Sequence, residues 1–257
     1  MKEGMMERRT GAYQPPALKY EFVIGDRSRV FYIIKRTIDI LVVVIGLILL
    51  TPIILAVAAA VATTGMPILF RQVRLGQGGR PFTLIKFRTM RPTASPYAPK
   101  PDLVAKEVTR VGRFLRLTGL DEIPQLVNVL LGQMTLVGPR PEMPFIVESY
   151  DWVQRLRLDA RPGVTGLWQL SLVRLEPIHQ HVEYDLFYLA HRSLKLDLWI
   201  VMRTPLVLFL GRHVSLDRKL IRRWAREPMR QGPGRHRVVL DLSTPVATLA
   251  DVAGGGL

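Results

Sequence analysis

The 257-residue sequence contains no cysteine, which removes disulfides, thiolate nucleophiles and cysteine-ligated zinc or iron-sulfur sites from consideration. A Walker loop and a dinucleotide fingerprint are missing too, because the glycines at Gly76, Gly78 and Gly79 lack the strand-to-helix context that a phosphate-cradling loop needs. Residues 1–19 are polar, carry Pro15 and Pro16 and have no apolar stretch, so they do not read as a secretory signal. Acidic residues are scarce beside basic ones, 21 against 36, and the net charge of +15 implies attraction to polyanions: nucleic acid, anionic lipid or phosphorylated ligands. A nucleic-acid surface would interleave stacking aromatics with its cations or show a recognisable motif, and neither is present.

What the chain does contain is apolar material, 48% of its residues, enough for one domain with appendages. A run of 31 residues from Ile40 to Phe70 carries no charge. About 20 residues cross the hydrocarbon core as a helix and two crossings need about 40, so the run falls between the two. Both flanks are basic: Lys35 and Arg36 before it, Arg71, Arg74 and Arg80 after it. Positive charge marks the cytoplasmic side, so both ends belong there and the run reads as a re-entrant helix that bends and returns. Thr51 and Pro52 are the candidate bend, since proline removes a backbone donor and kinks a helix. One tilted span from Ile40 to about Val61 is the alternative. Asp39 at the edge is expected to pair locally with Lys35 or Arg36.

Beyond the run, Arg71–Met90 reads as a β-hairpin turning at Gly76–Gly79, and Arg91–Asp102, with four prolines, as a loop. Val104–Leu117 has Val111, Phe114 and Leu115 on one helical face. Ile123–Leu131 reads as a helix stopped by Gly132, with Asp121 and Glu122 at its N-terminus. A helix over Phe145–Leu158 and a helical, very apolar stretch over Glu183–Leu210 follow. Trp199, flanked by Arg203 and Arg212, suits either a helix in the membrane interface or a core helix. Residues 1–30 read as a flexible tail and 213–257 as a basic, disordered one.

A helix N-terminus gathers unpaired N–H groups and favours anions, so Asp121, with Lys86, Arg88, Arg116 and Arg140 elsewhere in the chain, could meet a diphosphate. By local spacing alone capping is the favoured reading, with Asp121 as the cap or with Thr118 as the cap and Asp121 an acidic first-turn residue. Asp185 could simply pair with Lys195 or Arg192.

The series KFRTM (Lys86–Met90), RVGRFLR (Arg110–Arg116), LDEIPQLVNVLLGQM (Leu120–Met134), VGPRPE (Val137–Glu142), RPGVTGLWQ (Arg161–Gln169) and YDLFYL (Tyr184–Leu189) resembles the bacterial sugar transferase family, the monotopic polyprenyl-phosphate phosphoglycosyl transferases. The resemblance runs in order from about Lys35 to Leu210. It implies a mostly helical α/β body (residues 71–212) with a short β-hairpin and interfacial amphipathic helices, joined to a re-entrant membrane helix (31–70) broken at Thr51-Pro52. It implies a catalytic pair, Asp121 and Glu122, with Asp121 forming a phosphosugar-aspartyl intermediate from a UDP-sugar and passing the sugar 1-phosphate to undecaprenyl phosphate with release of UMP.

Further implied are a magnesium ion (Mg2+) held by Asp121, Glu122 and Asp185, and phosphate- or nucleotide-binding roles for Lys86, Arg88, Arg116, Arg140 and Glu142. Membrane lipids and a possible homodimer complete the expected partners, with no nucleic acid among them, at the cytoplasmic face of a bacterial inner membrane. Gly119 and Leu172-Val173 depart from the family's pattern. A membrane scaffold without turnover and a membrane-tethered nucleic-acid-binding protein are the competing readings.

Overall fold

The computed structural model describes residues 19–94, 107–174, 176–211, 213–214 and 236–241. The described part is mostly helical, with three two-stranded sheets.

The uncharged run is helical as far as Ala62, within α1 (Arg29–Ala62), which is capped by Ser28, whose hydroxyl accepts the Phe31 N–H at 3.2 Å; the last two residues of the run, Leu69 and Phe70, open a strand. Its 34 residues are long and apolar enough to cross a membrane. Pro52 sits inside it, so the Ile48 carbonyl loses its usual donor, and the Thr51 hydroxyl donates to Leu47 O at 2.8 Å one turn back. Packing against the body is confined to two stretches, one around Asp39 and Val43 and the other around Val57 and Val61. Between them Ile48, Leu49, Thr51, Pro52 and Ile53 are exposed. Asp39 takes no local ion pair: it accepts from the Thr135 hydroxyl, while Lys35 reaches Asp197 at 2.6 Å and Arg36 donates to the carbonyls of Val129 and Leu130. The helix faces the body there, and long-range partners outcompete neighbours that point along the helix surface.

The hairpin pairs β2 (Leu69–Leu75) with β3 (Pro81–Phe87). Gly78 and Gly79 turn it with φ of 67° and 71°, values an L side chain resists. Phe82 and Leu84 face a cluster with Val43, Val129 and Met134, and Phe87 faces another with Val57, Val61 and Leu115. The outer edge of β3 is sealed by one side chain: Asn128 accepts the Ile85 N–H at 3.1 Å and donates to Thr83 O at 2.7 Å. Asn128 lies on α3 (Gln125–Leu130), which is thereby fixed beside the strand.

Helix α2 (Arg110–Thr118) starts at Thr109, whose hydroxyl accepts the Gly112 N–H, and ends at Gly119 with φ 73°. Leu115 is buried and Val111 partly so, but Phe114 is 58% exposed and leaves the expected shared face. The expected helix over 145–158 is three short pieces: α4 (Pro144–Glu148), α5 (Trp152–Arg155) and a 3-10 turn (Leu156–Asp159). Asp151 and Gln154 form a capping box that restarts the chain. Strands β4 (Thr135–Val137) and β5 (Gly163–Thr165) run parallel, and α6 (Leu167–Leu170) follows.

The centre of the main core is α7 (Glu183–His191), where Tyr184, Leu186, Phe187 and Leu189 are fully enclosed. Ser193 caps a separate α8 (Leu194–Leu210). This helix buries Leu196, Ile200 and Val207 and exposes Leu198, Met202 and Phe209, so it has a core face and an apolar outer face. Trp199 packs partly on the core beneath the Arg203 guanidinium, and Arg212 lies outside the described residues.

Within the stretches read as tails, β1 (Lys19–Ile24) pairs antiparallel with β6 (His236–Asp241), and β1 lies against α7. KYEFVI and HRVVLD are rich in β-branched and aromatic residues, a local preference that the basic, proline-rich surroundings obscure.

Candidate active site

Five of the sequence-derived site residues meet in one cleft of about 570 Å³: Lys86 from β3, Arg116 from α2, Asp121 and Glu122 from the 3-10 turn Leu120–Glu122, and Arg140 from the loop after β4. Trp168 and Gln169 of α6, Arg174, and Thr204, Val207 and Leu208 of α8 form the facing wall.

The turn that carries the two carboxylates is sharp because Gly119 is left-handed and Pro124 opens α3. Glycine at 119 suits this left-handed backbone, with φ of 73°. Neither Asp121 nor Glu122 makes a side-chain cap bond, and the Thr118 hydroxyl donates back to Phe114 O and Leu115 O. Capping does not account for Asp121. Instead its carboxyl is 7% exposed and faces cations.

Burial, then the Glu122 charge, push the Asp121 pKa above the ordinary carboxylate range, while Lys86, Arg116 and Arg140 pull it back down. Burial lowers Lys86 to about 8 despite the help of Asp121, with Arg140 and Arg116 adding repulsion. Its ammonium also lies 5.1 Å from the centre of the Phe70 ring. Burial depresses Arg116, whose Nε donates to the Thr89 hydroxyl at 2.9 Å. Arg140 is held above its usual value chiefly by Glu122, to which it donates at 3.1 Å, and its guanidinium lies 5.9 Å from the Trp168 ring. Lys86, Arg116, Arg140 and Arg174 against two carboxylates leave the lining of the cleft with two positive charges in excess, a setting for a multiply charged anion.

Three expected site residues are elsewhere. Arg88 is 5% exposed and closes the end of α1, donating to Pro67 O at 2.7 Å, to Gly65 O and to the Thr64 hydroxyl. Strand β3 stops at Phe87, so Arg88 does not inherit the direction of Lys86. Glu142 is buried under Arg74, 3.4 Å away, and accepts the Met143 N–H.

Asp185 pairs with neither Lys195 nor Arg192 but with Arg157, in a bridge that is 1% exposed on both sides. Burial raises Asp185 to about 6 against the pull of Arg157. Arg157 donates to Asp185 at 2.8 Å, to the Tyr150 hydroxyl at 2.6 Å and to Arg140 O at 2.7 Å. Among the described residues Asp185 is linked to the cleft through Arg157 and the Arg140 backbone. Among the described residues no group of three acidic or histidine side chains gathers as a metal cage. Asp121 and Glu122 with two substrate phosphates would nonetheless suit magnesium, which takes one or two protein carboxylates and phosphate oxygens.

Sequence reasoning missed Trp168, Gln169 and Thr204 as cleft residues. Trp168 and Gln169 end the RPGVTGLWQ motif, the one signal that could have found them, while Thr204 looks like an ordinary helical core threonine. Arg157 is likewise invisible without the contact to Asp185, 28 positions away.

Residues 30–211 match the family model described as bacterial sugar transferase. The chain belongs to this family. A UDP-glucose:undecaprenyl-phosphate glucose-1-phosphate transferase of Klebsiella pneumoniae is 42% identical over 193 residues, covering 70% of this chain and 41% of that protein. The exopolysaccharide production protein ExoY of Sinorhizobium fredii is 36% identical over 195 residues, 69% of this chain and 86% of that protein. A UDP-N-acetylgalactosamine-undecaprenyl-phosphate N-acetylgalactosaminephosphotransferase of Aeromonas hydrophila is 35% identical over 195 residues, 72% of this chain and 45% of that protein. The chain therefore spans less than half the length of the first and third of these relatives. For this bacterial sugar transferase the matched segment contains α1, the cleft and α8 together.

Proposed function

We propose that this chain moves a sugar 1-phosphate from a UDP-sugar to a polyprenyl phosphate through a covalent intermediate on Asp121. The observation that carries the reading is a carboxyl group without a capping role, buried among Lys86, Arg116 and Arg140 in an open cleft. The names of the relatives point to the same pair of substrates.

An Asp121 oxygen attacks the β-phosphorus of the donor, and the bond from that phosphorus to the bridging oxygen breaks. UMP departs with the bridging oxygen and its electron pair, leaving a phosphosugar acyl phosphate. The phosphate oxygen of the polyprenyl acceptor attacks the same phosphorus, the bond to Asp121 breaks, and the carboxylate returns with the diphosphate-linked product. The negative charge on the transferred group is met by Lys86, Arg116 and Arg140, which are already in place and need no reorganisation. The Arg140 bond to Glu122 fixes both side chains. Magnesium, held by Glu122 and Asp121 with the donor diphosphate, would supply further charge neutralisation.

Val207 and Leu208 of α8 line the cleft, and the same helix exposes Leu198, Met202 and Phe209, an apolar face that suits an acceptor arriving from lipid. Both ends of α1 grip the body while its middle, with Thr51 and Pro52, stands free, and this supports a re-entrant helix and a body resting on the cytoplasmic face of the inner membrane. The product would begin an exopolysaccharide, capsule, O-antigen or protein-linked glycan.

Purified protein given UDP-glucose, UDP-galactose or UDP-N-acetylgalactosamine with undecaprenyl phosphate is expected to release UMP with at least one donor. Asp121→Asn is expected to lower the rate by at least about 10³-fold, as loss of a nucleophile does. With donor alone, intact-mass spectrometry should find a hexose-phosphate adduct on the wild type. Equal rates for wild type and Asp121→Asn would overturn the mechanism.

A further inference from the structure

A second cavity, of about 530 Å³, shares no lining residue with the catalytic cleft. It lies under the start of α1, where the basic flank meets the uncharged run, and is lined by Lys35, Arg36, Asp39, Arg161 and Arg192 together with Phe31 and Tyr32.

Most of its charges are answered. Lys35 bonds Asp197 at 2.6 Å, and Arg192 lies 3.3 Å from Asp26. Arg36 and Arg161 are different. Arg36 spends its guanidinium on the carbonyls of Val129 and Leu130, which are neutral acceptors and leave its charge in place. Among the described residues the Arg161 guanidinium has no hydrogen-bond partner. Burial and the neighbouring Arg36 both depress its pKa, and only Asp39 opposes them. Asp39 is 4% exposed and engaged by the Thr135 hydroxyl, so one carboxylate serves two guanidinium groups. One positive charge remains, half-buried, and a guanidinium fork with no acceptor beside it.

The geometry points to a lipid phosphate site here: a cavity that takes the phosphodiester of an anionic glycerophospholipid between Arg36 and Arg161. A phosphodiester carries the single negative charge that balances the pocket, and its paired oxygens match the fork of Arg161. The acyl chains have an apolar path beside the cavity, since Ile33, Ile34 and Ile38 on α1 are 65%, 43% and 42% exposed. Phe31 and Tyr32 supply the apolar-to-polar boundary of a headgroup region. Such a lipid would fix the depth at which α1 enters the bilayer. The assignment rests on α1 lying in a membrane and not on the transfer reaction.

The test is native mass spectrometry of the full chain in mild detergent with added phosphatidylglycerol, phosphatidylcholine or inorganic phosphate. The wild type is expected to keep one phosphatidylglycerol under activation that strips phosphatidylcholine, with retention falling as salt rises. Arg161→Gln is expected to weaken retention about tenfold or more, with its near-ultraviolet circular dichroism unchanged. Equal retention by wild type and a folded Arg161→Gln would overturn the proposal. So would equal retention of the two lipids by the wild type, which needs no variant to fold. Displacement of phosphatidylglycerol by millimolar inorganic phosphate would mark a free-anion site and overturn the lipid assignment. None of these readouts depends on turnover, so a chain that binds the lipid and releases no UMP would sink the proposed activity alone.

Discussion

Lys86 holds its proton against burial and two arginines, and this ties the chemistry to pH. Asp121 must be ionised to attack, so the rate falls on the acid side as pH drops through its raised pKa. Lys86 must be charged to meet the phosphoryl oxygens, and it loses its proton at about 8 in the empty cleft. The dependence of kcat/KM on pH, which reports the free enzyme, is expected to be bell-shaped with its alkaline limb near that value. In Lys86→Arg the guanidinium stays charged, so the alkaline limb should move up by about 2 pH units or more while the acid limb stays. An alkaline limb that does not move would show that another group sets it.

Asp185 is the residue whose role changes most between sequence and structure. As a magnesium ligand it would have to face the cleft, and instead it holds Arg157 against Tyr150 and the Arg140 carbonyl. Asp185→Asn leaves a buried, uncompensated guanidinium, a change that costs about 3–5 kcal/mol in comparable pairs. A lowered Tm and a lowered kcat from a displaced Arg140 are expected, with the magnesium concentration for half-maximal rate unchanged. Glu122→Gln should change that concentration. A shift in magnesium dependence on Asp185→Asn would return the residue to the metal.

At the scale of elements, what the sequence reveals depends on how local the cause is. The hairpin turn, the position of Asp121 and Glu122 just ahead of α3, and the helical course of most of the uncharged run follow from glycines, a proline and apolar composition, each acting on its own neighbours, whereas the 3-10 form of the Asp121 turn and the continuity of α1 through Pro52 are not foreseen from the sequence. Breaks set by side-chain caps were harder to read: Asp151 and Ser193 each divide a stretch whose apolar pattern continues across the break. Pairings between distant segments were illegible, and they account for most of the reassigned residues. Arg88 and Lys86 look alike in sequence, yet the strand ends between them and one closes α1 while the other enters the cleft. Strands β1 and β6 are more than 200 positions apart, so neither could be assigned a partner from its own residues. Within the site, the five residues brought together come from four elements, and Asn128 ties one of them, β3, to α3, the helix that follows the 3-10 turn.

For the whole molecule, the proposed re-entrant course puts both ends of α1 on one side of the membrane. A straight helix of 34 residues would be about 50 Å long, well beyond the roughly 30 Å of hydrocarbon. If it crossed the bilayer, its two ends would face opposite compartments. Here the Lys35–Asp39 stretch is bonded to Asp197 and Thr135, and the far end is gripped by Arg88 and packed on Phe87 and Leu115. One body holds both ends, which supports the proposed re-entrant course, since a spanning helix would draw charged loops of that body into the hydrocarbon. Thr51 and Pro52, exposed in the middle, weaken the backbone ladder where a return would need it weak. The absence of cysteine makes the test direct, because a single introduced thiol is the only one present. Arg29→Cys and Thr63→Cys, at exposed positions flanking the apolar stretch, are expected to react with a membrane-impermeant maleimide in inverted vesicles and not in intact spheroplasts. Leu49→Cys, 71% exposed in the protein and placed in lipid by a re-entrant helix, should be protected in both. Labelling of Thr63→Cys from the spheroplast side would establish a spanning helix, and the two-point grip on α1 would then need a different explanation.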